Sequence, residues 1–167
     1  MRAPFRTGRP GAMVDRLTPD QRRLNMSRVR AKHTRPEMTV RRLLHSLGFR
    51  YRLHRSDLPG RPDIVLPRYR ATIFVHGCFW HGHDCSLFRM PATRTEFWAA
   101  KIAANRRRDG DAVLRLRDRD WRSLLIWECA LRGRGRLPGD TLTDRITAFI
   151  VGDAPFGAIR EEGAAEA

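Results

Sequence analysis

At 167 residues, with 33 basic and 18 acidic side chains and a formal charge of +15, the chain is sized for one domain with its own core and suited to polyanions, nucleic acid first. A membrane role is excluded, since no apolar run approaches the roughly 20 residues a span needs. Three cysteines, two of them beside histidines, and an Arg- and Pro-rich start without a hydrophobic segment argue for a cytoplasmic, nucleoid-associated protein with metal-bound thiols rather than disulfides.

Residues 1–16 lack apolar periodicity and read as a disordered basic tail, with Met13 an alternative start. Thr18-Pro19-Asp20-Gln21 opens a helix: Thr caps, Pro sits first, and Gln lies three after the cap. Arg22, Arg23, Arg28 and Arg30 make that helix basic. Its charged side is either a solvated face or, with Asn25 and Met26, a surface lying along DNA. A second capping box, Thr34-Arg35-Pro36-Glu37, precedes Met38, Val40, Leu43, Leu44 and Leu47 at helical spacing, and Gly48 is the stop. Capping alone explains Glu37.

Phe49 to His54 reads as a strand, Leu58 to Pro62 as a turn, and Asp63–Leu66 and Ala71–His76 as two further strands. Thr95 to about Arg117 is helical, broken or weakened near Gly110. Ser123–Trp127 is a short buried strand, and Asp140–Ile150 a last amphipathic helix. The layout is a single α/β domain over residues 17–151, a small mixed sheet flanked by helices, with a disordered tail at 152–167.

The stretch Ile73 to Cys85 sets three histidines, two cysteines and the adjacent Phe79-Trp80 within thirteen residues, a mixture for which a core has no use. Imidazole and thiolate are preferred zinc ligands. Cys78, His83 and Cys85 come from one loop and Cys129 from the end of a later strand, so the four make a closed tetrahedral Zn²⁺ site that staples loop to sheet. The plainer alternative has Cys129 as an ordinary buried cysteine and His83 on the surface. A zinc deaminase lacks its Pro-Cys-x-x-Cys half here, and no His-Glu-x-x-His helix suggests a metalloprotease. Histidines outside the metal set are free for proton transfer near neutral pH.

Asp63 after Arg61-Pro62 matches the proline-aspartate half of the PD-(D/E)xK nuclease signature. Where the next strand should hold acid, any residue and lysine, it reads Phe74-Val75-His76. Together with Leu58–Asp63, Ile73–Cys85, Pro91–Trp98 and Trp127–Gly133, this pattern resembles the very short patch repair (Vsr) endonucleases over about residues 25–150. The resemblance implies a PD-(D/E)xK restriction-endonuclease-like core with structural zinc. It also implies a Mg²⁺-dependent, strand-specific nick 5′ of a thymine mispaired with guanine, the lesion left by deamination of 5-methylcytosine. Carried over by motif, Asp63 and the backbone carbonyl of Val75 hold Mg²⁺, a role that tolerates Val where the family often has Thr. His81 is the general base, Asp109 orients it, His76 lies near the scissile phosphate, and Glu37 adds acidity at the metal. Phe79, Trp80 and Trp98 enter the DNA stack beside the mismatch. The implied partner is double-stranded DNA with a T:G mismatch, bound by a monomer. Mismatch-repair accessory proteins are left open.

The residues make chemical sense of that reading. Phosphodiester hydrolysis needs charge neutralisation on the phosphate and a deprotonated water, which a metal ion and an imidazole supply. Wedging suits a wobble pair, because unstacking costs a few kcal/mol per step and less at a mismatch. Trp98 is equally suited to core packing, whereas two bulky neighbours such as Phe79-Trp80 cannot easily both point inward. Lys101, Asn105 and Arg106 share a helix face that either reaches base edges and phosphates or stays solvated. The rivals are a zinc-stapled DNA-binding module without activity, and a general nuclease that cuts matched and mismatched duplexes alike.

Overall fold

Apolar side chains alternate along the central strands, and that alternation decides how the layers form. A computed structural model describes residues 32–162 together with Thr18, Asp20, Gln21 and Leu24. Helix α1 (Arg35–Ser46) precedes β1 (Arg52–Leu53), β2 (Ile64–Leu66) and β3 (Ala71–His76), with one 3-10 turn at Pro67–Tyr69. Then follow α2 (Cys78–His81), α3 (Thr95–Arg117), β4 (Arg122–Trp127), α4 (Glu128–Leu131), α5 (Gly139–Val151) and β5 (Phe156–Ile159). The strands lie in the order β1-β2-β3-β4-β5; β2 pairs antiparallel with both β1 and β3, and β4 pairs parallel with both β3 and β5. The result is the small mixed α/β domain expected.

Ile64, Leu66, Ile73, Leu124 and Ile126 pack on one side with Val40 and Leu44 of α1 and Ile146 and Ile150 of α5. Val65 and Phe74 point to the other side, against Leu58, Trp121 and Leu116 of α3. Successive strand residues alternate faces, so this sheet is buried on both. The α1 capping box forms as read: Thr34 Oγ1 accepts from the Glu37 N–H at 3.4 Å, and Glu37 Oε2 accepts from the Thr34 N–H at 3.3 Å. Thr18 and Gln21 exchange the same pair of bonds at 2.9 and 3.2 Å. Some of the positive charge is structural, since Arg122 donates to the carbonyls of Phe149, Ile150 and Tyr69 at 2.6, 2.8 and 2.9 Å, covering the last turn of α5.

Three expectations need correction. The strand expected over Phe49–His54 contracts to Arg52–Leu53, because His54 turns into the left-handed region at φ 48° and ends the pairing. No break occurs at Gly110: α3 runs unbroken for 23 residues. Glycine costs a helix only about 1 kcal/mol against alanine, and the buried Ile102, Ala112 and Leu116 outweigh that. The tail expected to fray from Gly152 instead supplies β5, where Ser123–Ile126 pairs with Phe156–Ile159. A Cβ on Gly157 would lie 2.9 Å from the Phe149 ring, so the small residue that weakens the strand signal is what lets this strand approach.

Candidate active site and metal centre

The carboxyl ends of β3 and β4 lie side by side, His76 opposite Trp127, so the segments leaving them meet. From β3 the chain turns through Gly77 into α2, which carries Cys78, Phe79, Trp80 and His81; β4 runs directly into α4 with Glu128 and Cys129. Gly82, at φ 57°, closes α2 where a Cβ would stand 2.6 Å from Ile102 of α3. Only glycine fits both the handedness and the space.

This brings together Cys78, His83, Cys85 and Cys129, with donor atoms all within 4.8 Å of one another. All three cysteines are free thiols. His83 Nδ1 lies 3.8 Å from Cys78 Sγ and 3.6 Å from Cys129 Sγ, so that nitrogen faces the cluster. The Cys78 thiol donates toward Cys129, holding Cys129 down to about 7 and pushing Cys78 up; burial raises Cys85. Surrounding groups fix the donors in place. The Glu161 N–H donates to Cys129 Sγ at 3.4 Å, Glu128 Oε2 accepts from the Cys78 N–H at 3.3 Å, and the Trp127 indole stacks on His83 at 4.0 Å. A compact S₃N set with supported ligands is compatible with a zinc ion.

Beyond Trp127, a cleft of about 490 Å³ is lined by His54, Asp63, Val75, His76, His81, Asn105 and Asp109, with Lys32, Arg61 and Arg108 supplying positive charge. Asp63, placed by the Pro62 turn at the head of β2, accepts at Oδ2 from the Val75 N–H at 2.8 Å. Burial pushes the Asp63 carboxyl up to about 6, the nearby Glu37 adds to the rise, and the Val75 bond opposes it. His81 Nδ1 lies 2.5 Å from Asp109 Oδ2. The His76 ring stacks on His81 at 4.0 Å and 5°. Burial, helped by His81, holds His76 down to about 4, so it is neutral at physiological pH; its Nδ1 is buried without a partner among the described residues.

Glu37 lies buried behind the cleft, grouped with His54 and Asp63, and its oxygens are occupied. Oε1 pairs with Arg41 Nη2, and Oε2 closes the capping box. His54 stands between the carboxylates, with Nε2 3.1 Å from Glu37 Oε1 and Nδ1 3.9 Å from Asp63 Oδ1. His54 and Arg41 were not singled out by the sequence reading, nor was Trp127 as a link between the two centres. A lone His before a turn and an Arg inside a helix carry no motif. Nothing short of the folded chain joins them.

Phe79, Trp80 and Trp98 cluster, with ring centroids 5.1 Å apart for Phe79–Trp80 and Phe79–Trp98 and 6.2 Å for Trp80–Trp98. All three are half-buried, and Phe97 beside them is exposed. The shared helix face turns out to be mixed. Lys101 is solvated with its Nζ 6.0 Å from the Phe97 ring, whereas Asn105 donates to the Trp80 carbonyl at 2.7 Å and Arg106 to the His81 carbonyl at 2.7 Å. Asn105 and Arg106 therefore hold the aromatic loop onto α3. Asn25, Met26 and Arg28 lie outside the described residues.

Known proteins resemble this chain over most of its length. The family described as DNA mismatch endonuclease Vsr matches residues 14–87. A type II nicking enzyme of Xanthomonas oryzae pv. oryzae is 53% identical over 125 residues, 75% of this chain and 92% of that protein. The DNA mismatch endonuclease Vsr of Escherichia coli is 45% identical over 139 residues, 83% of this chain and 89% of that protein. A type II nicking enzyme of Neisseria meningitidis serogroup A is 38% identical over 122 residues, 73% and 87% of the two chains. Among the described residues no helix is long and apolar enough to cross a membrane.

Proposed function

The chain belongs to the Vsr family of DNA mismatch endonucleases, and from that premise we propose that it nicks one strand of duplex DNA 5′ of the thymine in a T:G mismatch left by 5-methylcytosine deamination. The observation that carries the reading is the gathering of Asp63, His76, His81 and Asp109 in one basic-rimmed cleft, directly beside a half-buried aromatic cluster. A module that only bound DNA would need the rim and the aromatics. It would have no use for the rest.

The donors in the cleft suit a cation. A buried carboxyl with a raised affinity for its proton, close to a second carboxylate, is a group whose charge a dication stabilises. Asp63 and the Val75 carbonyl are the residues that would hold Mg²⁺, which when bound neutralises the phosphate and polarises its oxygens. The PD-(D/E)xK core assignment rests on Asp63 heading β2 and β3 running beside it.

His81 does the proton work. With Nδ1 given to Asp109, Nε2 carries the lone pair and takes the proton from a water as its oxygen attacks phosphorus, while the bond from phosphorus to the departing sugar oxygen breaks and that oxygen takes up a proton from solvent water. Asp109 then stabilises the imidazolium that forms. His76, neutral and stacked on His81, contacts the phosphate as a hydrogen-bonding group rather than as a cation. Phe79, Trp80 and Trp98 enter beside the wobble pair, where stacking on the rings offsets the few kcal/mol of unstacking. Cys78, His83, Cys85 and Cys129 would hold Zn²⁺, which would pin the loop that carries both the wedge and the base.

The test is nicking of T:G and matched duplexes with Mg²⁺ and with chelator. Cleavage of the mismatched strand alone, lost with chelator and in Asp63→Ala while DNA binding persists, is the expected result. Equal cleavage of both duplexes would leave only a general nuclease.

A further inference from the structure

The geometry points to His54 as a direct nitrogen ligand of the catalytic cation, giving that site a preference for a first-row transition dication over Mg²⁺. The inference rests on the reading of Asp63 as the residue that holds the cation. Three facts carry it. Asp63 Oδ2 accepts from the Val75 N–H, which leaves Oδ1 as the oxygen nearer His54. His54 Nδ1 lies 3.9 Å from that Oδ1, and no hydrogen bond spans such a distance. Two donors that far apart can both reach one dication, whose bonds to such ligands run about 2.0–2.3 Å.

The other side of the ring is held. Nε2 lies 3.1 Å from Glu37 Oε1 and 2.9 Å from Arg41 Nη2. With its proton on Nε2, His54 gives up the bond from Arg41, sets that N–H 3.1 Å from Glu37 Oε1 and presents the Nδ1 lone pair toward Asp63. With the proton on Nδ1, it accepts from Arg41 and aims a proton across a gap no hydrogen bond closes. A cation selects the first tautomer. Glu37 then acts through His54, as carboxylates behind ligating histidines do, which gives a role to a residue whose two oxygens are already engaged by Arg41 and the Thr34 N–H. The left-handed backbone of His54, φ 48°, is the conformation that ends β1 and sets the ring between the two carboxylates.

An imidazole among oxygen donors shifts preference away from Mg²⁺, which is hard, oxygen-bound and reluctant to dehydrate, toward a transition dication. Mn²⁺ is the probe, added to protein whose cysteine cluster has been filled with zinc. Pulsed EPR of the Mn²⁺ complex should show nitrogen coupling in the wild type that disappears in His54→Gln and His54→Asn. Mn²⁺ affinity in those variants should fall roughly ten- to a hundredfold while Mg²⁺ affinity changes little. Absence of nitrogen coupling in the wild type, or its persistence in both variants, overturns the inference. Asp63→Asn separates the two readings. If it binds Mn²⁺ as tightly as the wild type, the Asp63 site itself is wrong; if it loses Mn²⁺ while the His54 variants keep nitrogen coupling, only the His54 assignment falls.

Discussion

Two clusters of metal-type ligands lie on either side of Trp127, and they are built on opposite principles. Around Cys78, His83, Cys85 and Cys129 every donor faces inward, and backbone N–H groups and Glu128 brace the set. Around Asp63, His54, His76 and His81 the donors face an open cleft at a cost: burial pushes the Asp63 carboxyl up to about 6, and His76 Nδ1 has no partner among the described residues. The first arrangement is stable in itself once filled. The second keeps polar groups in a costly state that a bound cation or phosphate would relieve, the usual trade between stability and function. Trp127, stacked on His83 at 4.0 Å and edge-on to His76 at 5.3 Å, is in ring contact with both.

That contrast can be broken most severely at the closed cluster. Structural zinc carries on the order of 10 kcal/mol of apparent binding free energy, so Cys129→Ser is expected to give protein without zinc by metal analysis and without a cooperative thermal transition. A variant that lost zinc yet melted normally would show that the cluster is no staple. Next comes the base. His81→Ala should lower single-turnover nicking by about 10²–10⁴-fold while the melting temperature holds, because the cleft contributes chemistry rather than packing.

Asp63→Asn should cut in both directions, abolishing nicking while stabilising the metal-free protein by about 1–3 kcal/mol at neutral pH. The carboxyl's folded value of about 6 lies above its ordinary 3.8, so the folded state binds that proton more tightly than the unfolded chain. The resulting cost is full above pH 6 and shrinks as the pH falls toward 3.8. Denaturant titration across that window should therefore show the Asn variant's advantage fading as the pH drops; a constant advantage would remove burial as its cause. The smallest effect is expected at the wedge: Trp98→Ala should weaken discrimination between mismatched and matched duplexes by about 0.5–1.5 kcal/mol, measured as a ratio of dissociation constants, with little change in stability.

Local chemistry made much of the molecule legible before folding. The Thr34–Glu37 capping box, the apolar run of β3 and the Cys78–Cys85 spacing are written in neighbouring residues, and each formed as its local pattern dictates. Family motifs named Asp63, His81 and Asp109, but it is the fold that sets His81 against Asp109 across 28 positions of chain. Residues whose role depends on distant partners stayed hidden. His54 looks like any strand residue until α1 brings Glu37 and Arg41 to it, and Asn105 looks like a solvated or DNA-facing amide until α3 packs under the Trp80 carbonyl. The Gly- and Ala-containing β5 is the same case in the backbone, with weak intrinsic preference overridden by pairing to β4. Sequence by itself settled the long helices, the central strands and which ligand types the chain offers, since caps, periodicity and side-chain chemistry act over a few residues. Tertiary structure alone decided which lone pairs are left facing an open cleft, because that depends on what burial and long-range hydrogen bonds have already claimed.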